Sequence, residues 1–178
     1  FYLRDLIGDF RKTNQSEFLK ISDIDYLQIL AVIIGRQIPD SGVLNITDRY
    51  LNEIRTEHIA KVWPGASKAI QKMFDFLENH LHIHSPSLVP YLYFSIASYF
   101  YENSNPDYEL LKKYFWFYSF HNEDLLSNTT QLRHHLDFLD GNRQHQATSF
   151  GAFQIDRQKL RGATYSSKGR WSRAAICP

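Results

Sequence analysis

The residues best suited to bind a metal are histidines, of which the chain has eight. His80, His82 and His84 alternate within five positions. A zinc site on a helix needs ligands four residues apart, and only His80 and His84 have this spacing, with no third ligand at a matching distance. Imidazoles at the C-terminus of a helix can bond its last carbonyl groups and suit its dipole. We therefore interpret the three histidines as helix-end residues and predict no metal site and no cofactor.

A second polar group has the composition of an HNH nuclease site. His121, Asn122 and Glu123 are followed by the pair His134 and His135. An HNH site needs a hairpin and a helix that present a metal-binding His, a catalytic His and an Asn. Here both flanks have helical periodicity and no hairpin signal joins them. We interpret these residues as ordinary surface and capping residues.

Other catalytic patterns are missing from the sequence. The acidic pairs Glu123–Asp124 and Asp137–Asp140 could serve acid–base catalysis only if a cleft gave them different pKa values, so solvated helix faces or caps are the simpler interpretation. The glycines are too isolated for a phosphate-binding loop, and no serine lies in a Gly-x-Ser-x-Gly elbow. Cys177 has no nucleophile pattern and is better explained as a small core residue. We predict no catalytic residue.

The functional signal that remains is a basic C-terminal segment. Residues 1–140 carry 13 Lys and Arg against 18 Asp and Glu, whereas residues 141–178 carry seven against Asp156 alone. Aromatic residues are interleaved with these cations, a composition that could combine phosphate contacts with base stacking. A basic segment folded onto an acidic body would have the same composition. The candidate nucleic-acid-binding residues are Arg157, Lys159, Arg161, Lys168, Arg170 and Arg173.

The elements that would position these residues are helices. Apolar residues recur at helical spacing through most of residues 1–140, and alternating strand patterns are scarce. Ser22 is a residue type favoured at a helix N-cap. Trp63–Gly65 is predicted to separate two helices, and Gly141 is predicted to end the last helix of the core. We predict an all-α bundle of about seven to nine helices at 1–140. The basic segment at 141–178 is predicted to be partly helical and to lead into a downstream region.

Two neighbouring helices are predicted to form the centre of the core. Tyr91 to Phe120 holds thirteen aromatic residues in thirty positions. Aromatic side chains bury about 150–250 Å² each, so segments this rich in them belong inside. On this basis we expect Trp116→Ala to cost about 3–5 kcal/mol of stability.

Composition places the chain among globular proteins. Its 178 residues are 43% hydrophobic and 22% charged, with one cysteine, so an internal disulfide framework is excluded. No apolar run approaches the 18 residues that span a bilayer, and we expect a soluble, cytoplasmic protein. The chain begins at Phe1 inside a helical pattern and stops shortly after another apolar segment begins. We therefore expect it to be part of a longer polypeptide.

The order of several segments resembles a known family. The segments are Ile21–Leu30, Ala69–Phe74, Leu88–Phe94, Leu111–Phe120 and Tyr165–Arg173. Together they resemble the helical region that follows the ParB/sulfiredoxin-like nuclease domain in the DGQQR-motif family. That family includes the GmrSD-type, modification-dependent restriction proteins of bacteria.

The resemblance implies a non-catalytic middle domain of a phage-defence nuclease. Such a domain would pack against the catalytic domain, position it relative to a downstream domain, and contact DNA through the basic segment. The family's Asp-Gly-Gln-Gln-Arg signature occurs nowhere in this chain, so no catalytic residue is carried over. The turn at His121–Ser127 also departs from the Arg-Tyr-Ser-like turn of many relatives. The alternative is an all-α scaffold for protein–protein interaction with no nucleic-acid role.

Overall fold

A computed structural model describes residues 2–38, 46, 48–86, 89, 92–121, 129–143, 158 and 161. These residues form seven α-helices with a 3₁₀ turn at Glu17–Lys20 and a π turn at Phe76–His80, and they contain no strand. The all-α prediction is therefore confirmed. The helices are α1 (Leu3–Thr13), α2 (Asp23–Gln37), α3 (Asp48–Glu53), α4 (Thr56–Asp75), α5 (Leu92–Glu102), α6 (Tyr108–His121) and α7 (Thr129–Arg143). No described helix is long and apolar enough to cross a membrane.

Helix α2 is apolar on every side along its middle because other helices surround it. It begins at a capping box, in which Ser22 Oγ accepts a bond from the Asp25 amide while the Asp25 carboxylate accepts one from the Ser22 amide. All residues from Ile29 to Ile34 are at most 1% exposed. A helix with no solvated face there belongs to the centre of a fold. Its neighbours are α1, α3, α4 and α5.

Helix α4 continues through Pro64, so the predicted break at Trp63–Gly65 is wrong. A proline in a helix interior removes one backbone bond and costs about 3 kcal/mol or more. The apolar stripe on either side of it is buried, including Val62 at 1% and Ala66 at 0% exposure. Burial of that stripe against α2 and α5 outweighs the local cost, and Pro64 itself lies on the exposed face.

One close approach between α4 and α5 occurs at a glycine. A Cβ atom added to Gly65 would lie 2.6 Å from Cε2 and 3.3 Å from Cζ of Tyr101. Real Cβ atoms do not approach neighbours this closely, so only glycine lets the Tyr101 ring lie against the α4 backbone. The residue predicted to break the helix instead permits close helix packing.

The two aromatic helices are α5 and α6, as predicted. In α5 every side chain from Tyr93 to Phe100 is buried, and in α6 Tyr114 and Phe115 are at most 1% exposed. Trp116 is only half-buried, with its ring edge-on to Phe115 at a centroid distance of 5.1 Å. The expectation that Trp116 lies fully in the core is therefore wrong, and its truncation should cost less than a buried aromatic would.

Helix α7 passes through Gly141 and ends at Arg143, so the predicted stop at Gly141 is also wrong. Leu132, Leu136 and Leu139 are buried on the side of α7 that packs against the body of the protein. The predicted division of the chain at residue 140 stays a prediction, because most of 141–178 lies outside the described residues. Beyond α7 only residues 158 and 161 are described, and both are helical and exposed.

Candidate functional site

The predicted nucleic-acid-binding residues lie mostly outside the described residues. Arg161 is described, and it is exposed at a helical position. The other five candidates, which are Arg157, Lys159, Lys168, Arg170 and Arg173, lie outside the described residues, as do Cys177 and the Glu123–Asp124 pair. The proposal that this segment binds DNA therefore still rests on its composition.

The alternating histidines begin at a helix end, as predicted, because His80 is the last residue of the π turn. The first two carbonyls of that turn accept backbone bonds, Phe76 O from Leu81 N at 3.1 Å and Leu77 O from Ile83 N at 2.9 Å. The ring of His80 stacks on that of Tyr108, with centroids 4.5 Å apart and planes 17° from parallel. No group of three metal-ligating side chains occurs among the described residues.

The next two histidines leave the helix end altogether. His82 has a left-handed backbone with φ of 56°, an uncommon conformation for a residue other than glycine. It separates the buried residues Leu81 and Ile83, while His82 and His84 are themselves exposed. The sharp turn at His82 thus lets the apolar neighbours point inward, which explains why the imidazoles alternate with Leu and Ile in the sequence.

His135 is a buried hydrogen-bonding residue, which corrects its interpretation as a surface residue. Its Nδ1 lies 2.8 Å from the Tyr114 hydroxyl, and that hydroxyl lies 2.5 Å from Ser95 Oγ. Exposure is 4% at His135, 0% at Tyr114 and 1% at Ser95. The chain of three polar groups joins α7, α6 and α5 inside the core. Because a buried polar group without a partner costs about 1–3 kcal/mol, these mutual bonds favour one relative placement of the helices.

A cluster of three charges joins α2, α5 and α7. The Arg36 guanidinium donates to Glu102 through Nε at 2.6 Å and Nη2 at 2.5 Å, and to Asp140 Oδ2 through Nη2 at 3.0 Å. Burial lowers the pKa of Arg36 and the bonds to Glu102 and Asp140 raise it by more, so the pKa lies above its ordinary value. Asp140 is therefore an ion-pair partner, which corrects its interpretation as a solvated residue. Asp137, its predicted companion, is exposed.

Neither polar network has the arrangement of a catalytic site. In the charge cluster the two carboxylates neutralise one permanent cation, and in the Tyr114 cluster two hydroxyls and an imidazole share hydrogen bonds. Catalytic acids and bases need a cleft in which a substrate can reach them. Both networks lie between packed helices, so we assign them to the positioning of α5, α6 and α7.

One open cleft lies among the described residues, between α1 and α4. Its volume is about 290 Å³. The rings of Phe10 and Trp63 meet edge to face inside it, with centroids 6.2 Å apart. Its lining also includes the polar residues Asn14, Lys68 and Gln71. An aromatic interior with a few polar groups around it is the usual composition of a small ligand site.

The sequence contained a partial signal for this cleft. Phe10 lies at helical spacing with the apolar residues Leu3, Leu6 and Ile7 in the sequence. The predicted helix break at Trp63–Gly65, however, separates Trp63 from Gln71. Once α4 is continuous, Trp63, Ser67 and Gln71 share one side of it at i, i+4 spacing, and that side faces α1.

Comparison with known proteins adds nothing to these observations. No protein-family model, no curated protein and no solved structure matches this chain.

Proposed function

We propose that this chain is the non-catalytic helical middle domain of a DGQQR-type restriction or defence nuclease in the bacterial cytoplasm. It holds the catalytic domain and a downstream domain in a fixed relative position and contacts DNA through its basic C-terminal segment. Its partners are the rest of its own polypeptide and DNA, and it needs no cofactor.

The observation that supports the proposal is that four of the five segments resembling the family contribute buried residues to one core, while Tyr165–Arg173 lies outside the described residues. Leu30 of α2, Ile70 and Phe74 of α4, Phe94 of α5 and Tyr114 of α6 are all at most 2% exposed. The resemblance thus lies in the residues that build the scaffold, which is what a domain with a positioning role would share with its relatives.

The interior supports a mechanical role because its polar groups tie helices together. In the charge cluster Arg36 bonds Glu102, which lies 66 positions later in the sequence, and Asp140, which lies 104 positions later. The Tyr114 hydroxyl bonds Ser95, 19 positions earlier, and His135, 21 positions later. Interior hydrogen bonds between distant elements rigidify a core and specify one arrangement of it. A rigid body of this kind transmits the position of one attached domain to another.

Charge reversal in the basic segment tests the DNA contact. We expect Arg170→Glu with Arg173→Glu to weaken binding of the protein to duplex DNA. The slope of log affinity against log salt should fall by roughly 1.8, since each phosphate contact contributes about 0.9. Lys112→Glu with Lys113→Glu on α6 is the control with the same change in net charge. An unchanged affinity and slope in the first variant would refute the contact.

The alternative function is a scaffold for protein–protein interaction. It is favoured by Tyr2 and Ile24, which are large apolar residues with exposures of 75% and 55%. A pull-down in which the purified chain captures a protein and does not bind DNA would support this alternative. Nuclease activity of the purified chain would contradict both functions.

A further inference from the structure

The outer face of α4 carries a row of lysines. Lys61, Lys68 and Lys72 are all exposed. At 3.6 residues per turn they lie within roughly 40° of arc, and at 1.5 Å per residue they span roughly 16 Å along the helix. They therefore form one straight line of positive charge rather than three scattered cations.

No described acidic side chain pairs with these three lysines, in contrast to three other lysines of the surface. Lys12, Lys20 and Lys112 each form an ion pair with an acidic residue three positions earlier. Lys61, Lys68 and Lys72 form no ion pair with any part of the chain that the structure describes. The two acidic residues of α4 lie near its ends and have other partners. Glu57 forms an ion pair with Arg55, and Asp75 accepts a hydrogen bond from the Asn79 amide.

The lysine row borders the cleft between α1 and α4. Lys68 belongs to both, since its side chain lines the cleft that contains the Trp63 ring. The one acidic residue at this rim, Asp9, is paired with Lys12 at 3.1 Å. Gln71 adds an amide group, which can donate to and accept from a planar ligand at once, whereas the Asn14 amide already donates to Phe10 O at 2.8 Å and Thr13 Oγ1 at 3.2 Å.

We propose that α4 and this cleft bind a single strand of nucleic acid. Three cations along roughly 16 Å fit a polyanion better than a lone phosphate group. The cleft is at the lower end of the range of about 300–1,000 Å³ for ligand sites, a size suited to one base rather than a larger group. Lysines paired with the backbone and an aromatic ring stacked on a base are the usual elements of single-strand binding.

A single strand is favoured over a duplex because the bases of a duplex are already stacked on one another. A base can enter a cleft against Trp63 only after it leaves such a stack. The lysine row and the cleft are made of residues of α1, its C-cap Asn14 and α4, so the inference does not depend on the family resemblance or on the DNA contact proposed above.

Binding to an oligothymidine of about twelve nucleotides tests the inference. We expect Lys61→Gln, Lys68→Gln and Lys72→Gln together to reduce the slope of log affinity against log salt by about 2, since each single-strand contact contributes about 0.7. The control, Lys20→Gln with Lys112→Gln and Lys113→Gln, removes the same net charge elsewhere and should keep the slope. Circular dichroism verifies that each variant is folded.

Two further measurements separate the competing explanations. Trp63→Leu keeps an apolar side chain but removes the aromatic face, and we expect roughly ten-fold weaker binding at constant salt slope. Polyglutamate, added at the same concentration of negative charge as competing oligothymidine, should displace the bound oligonucleotide poorly. The inference is overturned if the lysine triple variant binds like the wild type, or if polyglutamate competes as well as oligothymidine. It is also overturned if Arg170→Glu with Arg173→Glu abolishes binding while the α4 variants do not change it.

Discussion

Replacement of Arg36 by methionine tests how strongly the charge cluster holds α2, α5 and α7 together. The guanidinium makes two bonds of 2.5 and 2.6 Å with Glu102 and one of 3.0 Å with Asp140 Oδ2. The side chains are 16% exposed at Arg36, 12% at Glu102 and 30% at Asp140. Arg36→Met keeps most of the aliphatic volume but leaves the two carboxylates without their shared cation.

The expected cost of Arg36→Met is about 3 kcal/mol. Opposite charges about 4 Å apart attract by about 4 kcal/mol at an effective dielectric constant of about 20. Two such attractions are lost, and relief of the desolvation of the guanidinium offsets part of the loss. Removal of one partner from a buried pair costs about 3–5 kcal/mol, and the partial exposure of Asp140 favours the lower end. This is a large share of the 5–15 kcal/mol typical of a domain.

Urea unfolding followed by circular dichroism measures this cost. The control is Lys112→Met, because the Lys112–Glu109 pair has a similar distance of 3.0 Å but exposures of 35% and 72%. Exposed pairs contribute about 0.2–1 kcal/mol, so the control should lose little stability. Replacement of Arg36, Glu102 and Asp140 together by apolar residues should recover most of the loss. The reasoning is refuted if Arg36→Met destabilises the protein no more than Lys112→Met does.

Two further predictions concern packing and pH. Gly65→Ala should lower the free energy of unfolding in urea by about 1–3 kcal/mol, because the added Cβ would lie 2.6 Å from the Tyr101 ring. Gly8→Ala should raise it by about 0.5–1 kcal/mol, because nothing lies within 4 Å of the Cβ added there. Equal effects of the two substitutions would contradict this packing. Burial raises the pKa of Tyr26 to about 12 from an ordinary value of about 10, so about 2 kcal/mol of stability should be lost as pH rises between these values. Tyr26→Phe should abolish that loss and leave stability at pH 7 equal or higher, since the buried hydroxyl has no hydrogen-bond partner among the described residues; a parallel decline in both proteins would contradict it.

Local signals in the sequence predicted the helices well where capping and periodicity agreed. Ser22 caps α2 as expected, and the stripe Ile70, Met73, Phe74 and Leu77 is buried as an amphipathic pattern requires. Pro64 was misread because its effect on the backbone is local, whereas the burial that overrides it comes from helices distant in sequence.

The functional residues were harder to predict for the same reason. His135 reads as polar in the sequence, and its burial depends on the Tyr114 hydroxyl, which lies 21 positions earlier. Asp140 is predicted to be solvated. Its partner Arg36 lies on a helix more than a hundred residues earlier in the sequence. Periodicity identifies which side of a helix is apolar, but it does not identify the polar group that will meet a buried His or Asp.

The position of α7 has a consequence for the way the protein opens. His135 and Asp140 both lie on α7, and each bonds a polar group that the rest of the core has enclosed. Detachment of α7 alone would remove one hydrogen-bond partner from Tyr114 and one from Arg36 in a single event and would also uncover Leu136. A partial opening of this kind therefore costs more free energy than the fraying of an exposed helix end. Amide hydrogens in the middle of α7 should accordingly exchange with solvent more slowly than those at its ends, although α7 is the last of the seven described helices.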